Sequence, residues 1–376
     1  MRTIMQTALL TGALLLPRVC PAQGQSGQSG YALNGPSLGL MFDSASAAIR
    51  PILGIPGAAT LGTPLSTGFA IGQAVVAPGG DFALVVAKDD FHLAVVRATG
   101  GAVQNLAPVM GGAPDFIALS PRGRSAALYY HASGRVLVLA GLRDQAPRTA
   151  LVNTSTLRAA PSHVAVSEDG ASLLLSVSEG DAAGLYYLPG YLPAEGSIGP
   201  KDVVPAATTH PRDLQSAASA GAGFARSVGN FQSVSGLRFA GSGSDALIAD
   251  GVANAVYLIQ DVSGSQHISM LGSAQDGLSQ PVAIEAMDAG GVLVANAGTR
   301  RLTMLYRDGT PAVSIPCGCA PSVLHQLAGN SVYRLTEPSK EPMWLLDAGG
   351  PELRIVAVPP DRSQTEPVAG AKGAQQ

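Results

Sequence analysis

The chain has 376 residues, 46% of them hydrophobic and only 13% charged, with a formal net charge of −3. So small and slightly negative a charge excludes a nucleic-acid partner held through phosphate contacts and a polybasic attachment to an anionic membrane surface. Gly (46) and Pro (27) make up about a fifth of the chain, above the roughly 12% of an average protein, and three cysteines are too few for a disulfide framework. The composition is that of a turn-rich β protein.

From the N-terminus, Met1 and Arg2 give a short positive start, and 4–16 (IMQTALLTGALLL) form an apolar run of 13 residues. Cys20 and Ala22 then supply small residues at −3 and −1 of a cleavage before Gln23. That order is a secretory signal peptide over 1–22, and so short an apolar run does not span a bilayer. A lipoprotein signal acylated at Cys20 is disfavoured by Arg18 and Val19 immediately before it. Residues 23–36, containing GQSGQSG, read as a flexible linker, and the polar stretch 361–376 as a disordered tail. No later stretch has the 18 uninterrupted apolar residues of a transmembrane helix.

Between these ends a unit recurs. It is an alternating apolar strand, a turn with Gly, two strongly apolar strands and a weaker fourth. The first strand and its turn appear as QAVVAPGGD (73–81), FIALSPRGR (116–124), HVAVSEDGA (163–171), GLRFAGSGS (236–244), AIEAMDAGG (283–291) and VLHQLAGNS (323–331). The aligned glycines are Gly80, Gly123, Gly170, Gly243, Gly290 and Gly329, spaced by 43, 47, 73, 47 and 39 residues. Second strands (FALVVA, SAALYY, SLLLSV, DALIAD, VLVANA, SVYRLT) and third strands (FHLAVV, RVLVLA, GLYYLP, AVYLIQ, RLTMLY, PMWLLD) run continuously apolar, as strands buried on both faces do. Fourth strands such as SQHISML (265–271) and ELRIVAV (352–358) alternate, as half-exposed edges do.

Four antiparallel strands in about 40–47 residues is the period of a β-propeller blade. With its S-P-R-G (120–123) and S-E-D-G (167–170) turns, the sequence over 37–360 resembles the YVTN-type and WD40-like propellers of secreted bacterial proteins. No WD dipeptide and no GH signature is present, which disfavours a true WD40 array. A solenoid would show shorter, more uniform repeats. The fold class is therefore all-β. The piece 38–57 resembles a third-plus-fourth strand pair, best seen against 343–360, so seven blades, one of them incomplete and closed by pairing strands from both termini, are favoured over six with an extra hairpin. The spacing of 73 marks an insertion within 190–234, where Pro211 to Ala220, stopped by Gly221, allow one short helix.

The innermost strand of a blade lines the central channel. The slot between the two apolar residues of each first strand holds Val75, Ala118, Ala165, Arg238, Glu285 and, allowing one turn residue fewer, His325. Three consecutive blades thus offer Arg, Glu and His at one level, a candidate ligand site. In a water-filled channel the pair Arg238–Glu285 would add about 1 kcal/mol or less to stability. One carboxylate and one His are too few to close a metal site, and no metal or cofactor is expected. No pair among His92, His131, His163, His210, His267 and His325 has chelating spacing. The acidic pairs Asp89–Asp90 and Glu168–Asp169 sit in turns and read as solvated. No calcium loop, G-x-S-x-G elbow, P-loop or Rossmann fingerprint occurs in its required context, so no catalytic residue is assigned. Cys317 and Cys319 (C-G-C) read as a small disulfide closing a turn, with a redox dithiol or a free pair as alternatives. Trp344, the only Trp, is expected in the core between blades.

Three functions compete on this reading. One is a secreted, non-enzymatic propeller, monomeric, that binds a protein or a cell-envelope polymer. Another is a propeller enzyme of lactonase, lyase or glycan-cleaving type with a site at the channel mouth. The third is a structural part in envelope assembly that uses the insertion. The leader makes the first prediction: N-terminal sequencing of exported protein will begin near Gln23, whereas exported material retaining Met1 would contradict it.

Overall fold

The computed structural model describes residues 35–360 apart from 107–109, 145, 190–224, 242, 288–289, 330 and 339–340. The leader, most of the linker, the tail and the helix expected near Pro211 lie outside the described residues. The protein is an all-β, seven-bladed propeller.

Blade 1 has three strands, β1 (Ser37–Asp43), β2 (Ala48–Ile55) and β3 (Ala58–Leu61). Blade 2 is β4 (Ile71–Val76), β5 (Phe82–Ala87), β6 (Leu93–Arg97) and β7 (Val103–Leu106). Blade 3 is β8 (Phe116–Leu119), β9 (Ser125–Tyr130), β10 (Arg135–Ala140) and β11 (Arg148–Asn153). Blade 4 is β12 (Pro161–Val166), β13 (Ser172–Glu179), β14 (Ala182–Pro189) and β15 (Arg226–Phe231). Blade 5 is β16 (Val234–Phe239), β17 (Ala246–Asp250), β18 (Ala255–Gln260) and β19 (His267–Gly272). Blade 6 is β20 (Pro281–Ala286), β21 (Gly291–Asn296), β22 (Arg301–Tyr306) and β23 (Val313–Pro316). Blade 7 is β24 (His325–Gln326), β25 (Val332–Arg334), β26 (Met343–Asp347) and β27 (Arg354–Val358). Every pairing is antiparallel between chain neighbours, as short turns impose. The last part of the span read as an insertion, 226–234, is β15 and the start of β16, because RSVGNF alternates too weakly to announce a strand.

The first blade is incomplete in a different way from that expected. Its β1–β2 turn runs Asp43 to Ala47, with Ala47 at φ 49° and the Asp43 carboxylate accepting the Ala45 N–H. The turn from second to third strand in blade 5 is built the same way, with Asp250 accepting the Val252 and Ala253 N–H groups and Asn254 at φ 52°. The piece 38–57 is therefore a second-plus-third strand pair, with β3 as the fourth, and among the described residues none forms its innermost strand. Nor, among the described residues, does a strand from the C-terminal end pair with it. The Gly79 N–H donates to the Gln326 carbonyl at 3.3 Å, so the inner turn of blade 2 meets the inner strand of blade 7 directly. Outboard of that contact, the Leu40 N–H reaches the Gly80 carbonyl at 3.0 Å, and the Ala328 N–H reaches the Leu38 carbonyl at 2.8 Å.

Each junction between neighbouring blades buries its own apolar cluster, seven among the described residues. Leu38, Met41 and Ile52 pack with Leu327, Val332 and Leu345 of blade 7, while Leu40 and Ile49 pack with Val76, Val85 and Val96 of blade 2. The ring closes through side chains on both faces of blade 1. Turns add polar clasps between blades: Glu168, read as solvated, accepts the backbone N–H groups of Arg122 at 2.8 Å and Arg124 at 3.2 Å in the neighbouring turn.

Five of the six aligned glycines adopt positive φ, at Gly80, Gly123, Gly170, Gly290 and Gly329. In blade 5 that role falls to Gly241 (φ 72°), two residues before the Gly243 that the alignment chose. A Cβ at Gly80 would lie 2.6 Å from the Gly39 Cα, whereas one at Gly241 or Gly243 meets nothing. Denaturant unfolding should therefore rank three variants. Gly80→Ala should cost the most, Gly241→Ala about 1 kcal/mol from φ alone, and Gly243→Ala within about 0.5 kcal/mol of the parent. Equal costs at Gly241 and Gly243 would contradict the turn assignment.

Candidate functional site

Six inner strands enter turns that bring their slot residues into one register. Ala77, Ser120, Ser167, Ala240 and Leu327 each donate N–H to the carbonyl five residues on, and Met287 to that four residues on. The slot lies two residues before each of these donors in all six strands, so His325 needs no allowance, and the shorter turn belongs to blade 6. Across to the second strand, Val75 stands opposite Leu84, Ala118 opposite Ala127 and Ala165 opposite Leu174. Arg238 faces Leu247, Glu285 faces Leu293, and His325 faces Arg334.

Val75, Ala118, Ala165, Arg238 and His325 line a central cavity of about 200 Å³. Arg238 Nη1 contacts Glu285 Oε2 at 2.6 Å as an ion pair. Glu285 itself borders an adjoining cavity of about 300 Å³ at the turn end, together with Arg122, Arg307 and Gln326, so it joins the channel through Arg238. The channel is drier than the sequence implied: the Glu285 side chain is only 5% exposed and Arg238 24%. Six narrow inner strands, three of them with Val or Ala in the slot, leave little room for water at this level.

This burial sets the electrostatics. It pushes the Glu285 carboxyl up to about 7, against the downward pull of Arg238. Burial, reinforced by the Arg334 and Arg238 charges, holds His325 down to about 3, so its ring is neutral at any physiological pH. Arg334, which the sequence did not single out, is the unexpected member. It sits where the second strands of other blades carry Leu84, Leu174, Leu247 and Leu293. Its guanidinium forms an ion pair with Glu337 (Nη1 to Oε2 3.0 Å) in which only Nη2 donates a hydrogen bond, to Oε1 at 3.2 Å, so Nε and Nη1, like the His325 Nε2, are buried without a hydrogen-bond partner. Aligning the second strands, rather than only the first, would have exposed this charge.

Cys317 and Cys319 are bonded to each other, with Cα atoms 5.0 Å apart. A Cβ on the intervening Gly318 would lie 3.3 Å from the Trp344 ring, so the loop needs glycine there to lie on the indole. Trp344 is part of the cluster between blades 6 and 7, as expected. His92 is held by Asp90 at 2.6 Å in a turn, and His210 lies outside the described residues. Among the described residues no group of three or more His, Cys, Asp or Glu is placed to hold a metal ion. No helix among them is long and apolar enough to cross a membrane.

No protein-family pattern matches the sequence, and no curated protein matches it. Solved structures do share the fold. A protein of unknown function from Desulfotomaculum acetoxidans superposes with a TM-score of 0.52 at 10% identity, over 87% of this chain and all of that one. A candidate 6-phosphogluconolactonase from Bacteroides fragilis gives 0.51 at 13% identity, over 86% of this chain and 94% of that one. Virginiamycin B lyase from Staphylococcus aureus gives 0.45 at 12% identity, over 84% of this chain and 92% of that one. At such identities the likeness concerns the propeller fold alone.

The buried pair generates a pH test. An unfolded Glu285 loses its proton near 4.5, whereas the folded one keeps it until about 7. The folded state binds more protons between those values, so this carboxyl's contribution to stability is present below pH 4.5, falls as pH rises and is gone above about 7. Glu285→Gln stays neutral throughout. Its melting temperature relative to the parent should climb from pH 4.5 to 7 and then level off. A difference that is flat or falls across this window would show that Arg238 governs the pair instead.

Proposed function

We propose that the protein is an exported, non-enzymatic propeller acting in the cell envelope or outside the cell, whose channel site at Arg238, Glu285 and His325 binds a small polar or anionic group. Export rests on the leader-like order of residues 1–22. The observation that carries the binding role is the meeting of a half-buried cation, its carboxylate partner and a neutral imidazole at the wall of an otherwise apolar channel. Buried polar side chains with free valence are costly unless something satisfies them, and a ligand group does so. The rigid ring around this channel leaves the blade edges and turns for a protein or envelope-polymer partner, with the chain acting as a monomer.

One observation favours a second reading, an enzyme of lactonase or lyase type. A carboxyl raised to about 7 beside an arginine is suited to carry a proton at neutral pH. Under that reading Glu285 would be the proton-transfer group and Arg238 its electrostatic partner.

Ligand capture from the culture or periplasmic fraction, followed by calorimetry with single-residue variants, tests the binding role. Arg238→Ala should abolish binding and, by stranding a buried carboxylate, cost of the order of 1–3 kcal/mol. Arg238→Ala/Glu285→Gln should recover most of that stability without recovering binding. Retained binding in both variants would reduce Arg238–Glu285 to a structural pair. Turnover of a captured ligand that Glu285→Gln abolishes would favour the enzyme.

A further inference from the structure

In blade 7 the site continues past the channel residues. His325 and Arg334 are register partners, so their side chains leave the sheet on one face. Two residues along on each strand, Leu327 and Val332 share that face and are buried against Leu38 and Met41 of blade 1. In the other full blades this face meets the innermost strand of the next blade, and the residue opposite the slot is Leu or Ala. Only blade 7 faces a blade without a described innermost strand, and only blade 7 places a charged residue there. The polar substitution thus falls at the one junction where no innermost strand is described.

We propose that Arg334, His325 and Arg238 together hold a small monocarboxylate where the inner strands of blade 7 meet the channel cavity. The proposal rests on the channel-binding reading and names its ligand. Glu337 holds the Nη1–Nη2 edge of the Arg334 guanidinium, leaving the buried Nε–H unpartnered on the side it shares with the second Nη2 proton. Guanidinium protons so arranged match the two oxygens of a carboxylate. His325 Nε2, buried and unpartnered, supplies a third polar contact from the same face. Arg238, across the channel cavity, adds the remaining positive charge. The charge balance sets the ligand's own charge: Glu337 offsets Arg334, Glu285 partly offsets Arg238, and His325 is neutral, so the surplus is at most one positive charge. That neutralises one carboxylate and leaves a phosphate dianion uncompensated. The channel cavity of about 200 Å³ is also smaller than the roughly 300–1,000 Å³ of most ligand pockets, which limits the ligand to a few heavy atoms.

The test is calorimetric titration of the full mature protein with acetate, with inorganic phosphate and chloride at matched ionic strength. Acetate should bind one to one, and phosphate and chloride more weakly. Arg334→Leu restores the residue of four other blades and should fold at least as stably as the parent while weakening acetate at least about tenfold. Should that variant fail to fold, Glu337→Gln serves instead; it frees the other edge of Arg334 and should tighten acetate. Undiminished acetate binding in Arg334→Leu, or unchanged binding in Glu337→Gln, would overturn the proposal. Phosphate binding more tightly than acetate would overturn it too. If Arg238→Ala then still abolished binding, the channel reading would survive the loss of this inference.

Discussion

Face-to-face burial of apolar strands between neighbouring blades is the interaction on which the rest of this structure depends. The buried faces of the second and third strands are mostly apolar, and each junction encloses a cluster of its own. A blade cannot bury both faces alone, so its stability is that of its neighbours' contacts. A ring removes the two exposed ends that an open array would leave. Blade 1 shows how far the principle stretches. Among the described residues it has three strands, none paired with a strand from the C-terminal end, yet it fills both of its junctions because Leu38, Leu40, Met41, Ile49 and Ile52 of β1 and β2 pack against both neighbouring blades.

The site follows from that closure. With six described inner strands around the axis, the channel is narrow and its slot residues sit close together. Val and Ala at three of the six slots make the wall apolar, so the charges on blades 5 to 7 act in a poorly hydrated setting. That setting raises the Glu285 carboxyl and keeps His325 neutral, where a wet channel would have left both near their usual values. Among the described residues the one blade without an inner strand lies next to the blade that carries His325 and Arg334.

Much of this was legible in the residues. Period-two alternation, continuous apolar runs and turn glycines announce the blades, and the aligned slot of the first strands picks out Arg238, Glu285 and His325. The misplacement of 38–57 has a physical cause: second and third strands are both buried on two faces, so their sequences look alike, and only the Asp43–Ala47 turn tells them apart. Gly243 was chosen over Gly241 because both lie in one Gly-Ser turn and the sequence does not reveal which must adopt positive φ. Arg334 escaped notice because an arginine near the end of a short strand reads as a surface residue. The register with His325 shows it occupying a leucine position.

The central claim is that blade 1, packed on both faces, closes the ring as firmly as the complete blades do. Native-state hydrogen exchange tests it most directly at the Leu40 and Ala328 amides, which bond across the two junctions of blade 1. The account predicts that both exchange only through global unfolding, with the same protection as Val85 and Ile248 in the second strands of complete blades. Fast exchange at Leu40 and Ala328 with those core amides still protected would mean that the ring opens at blade 1, and would contradict it.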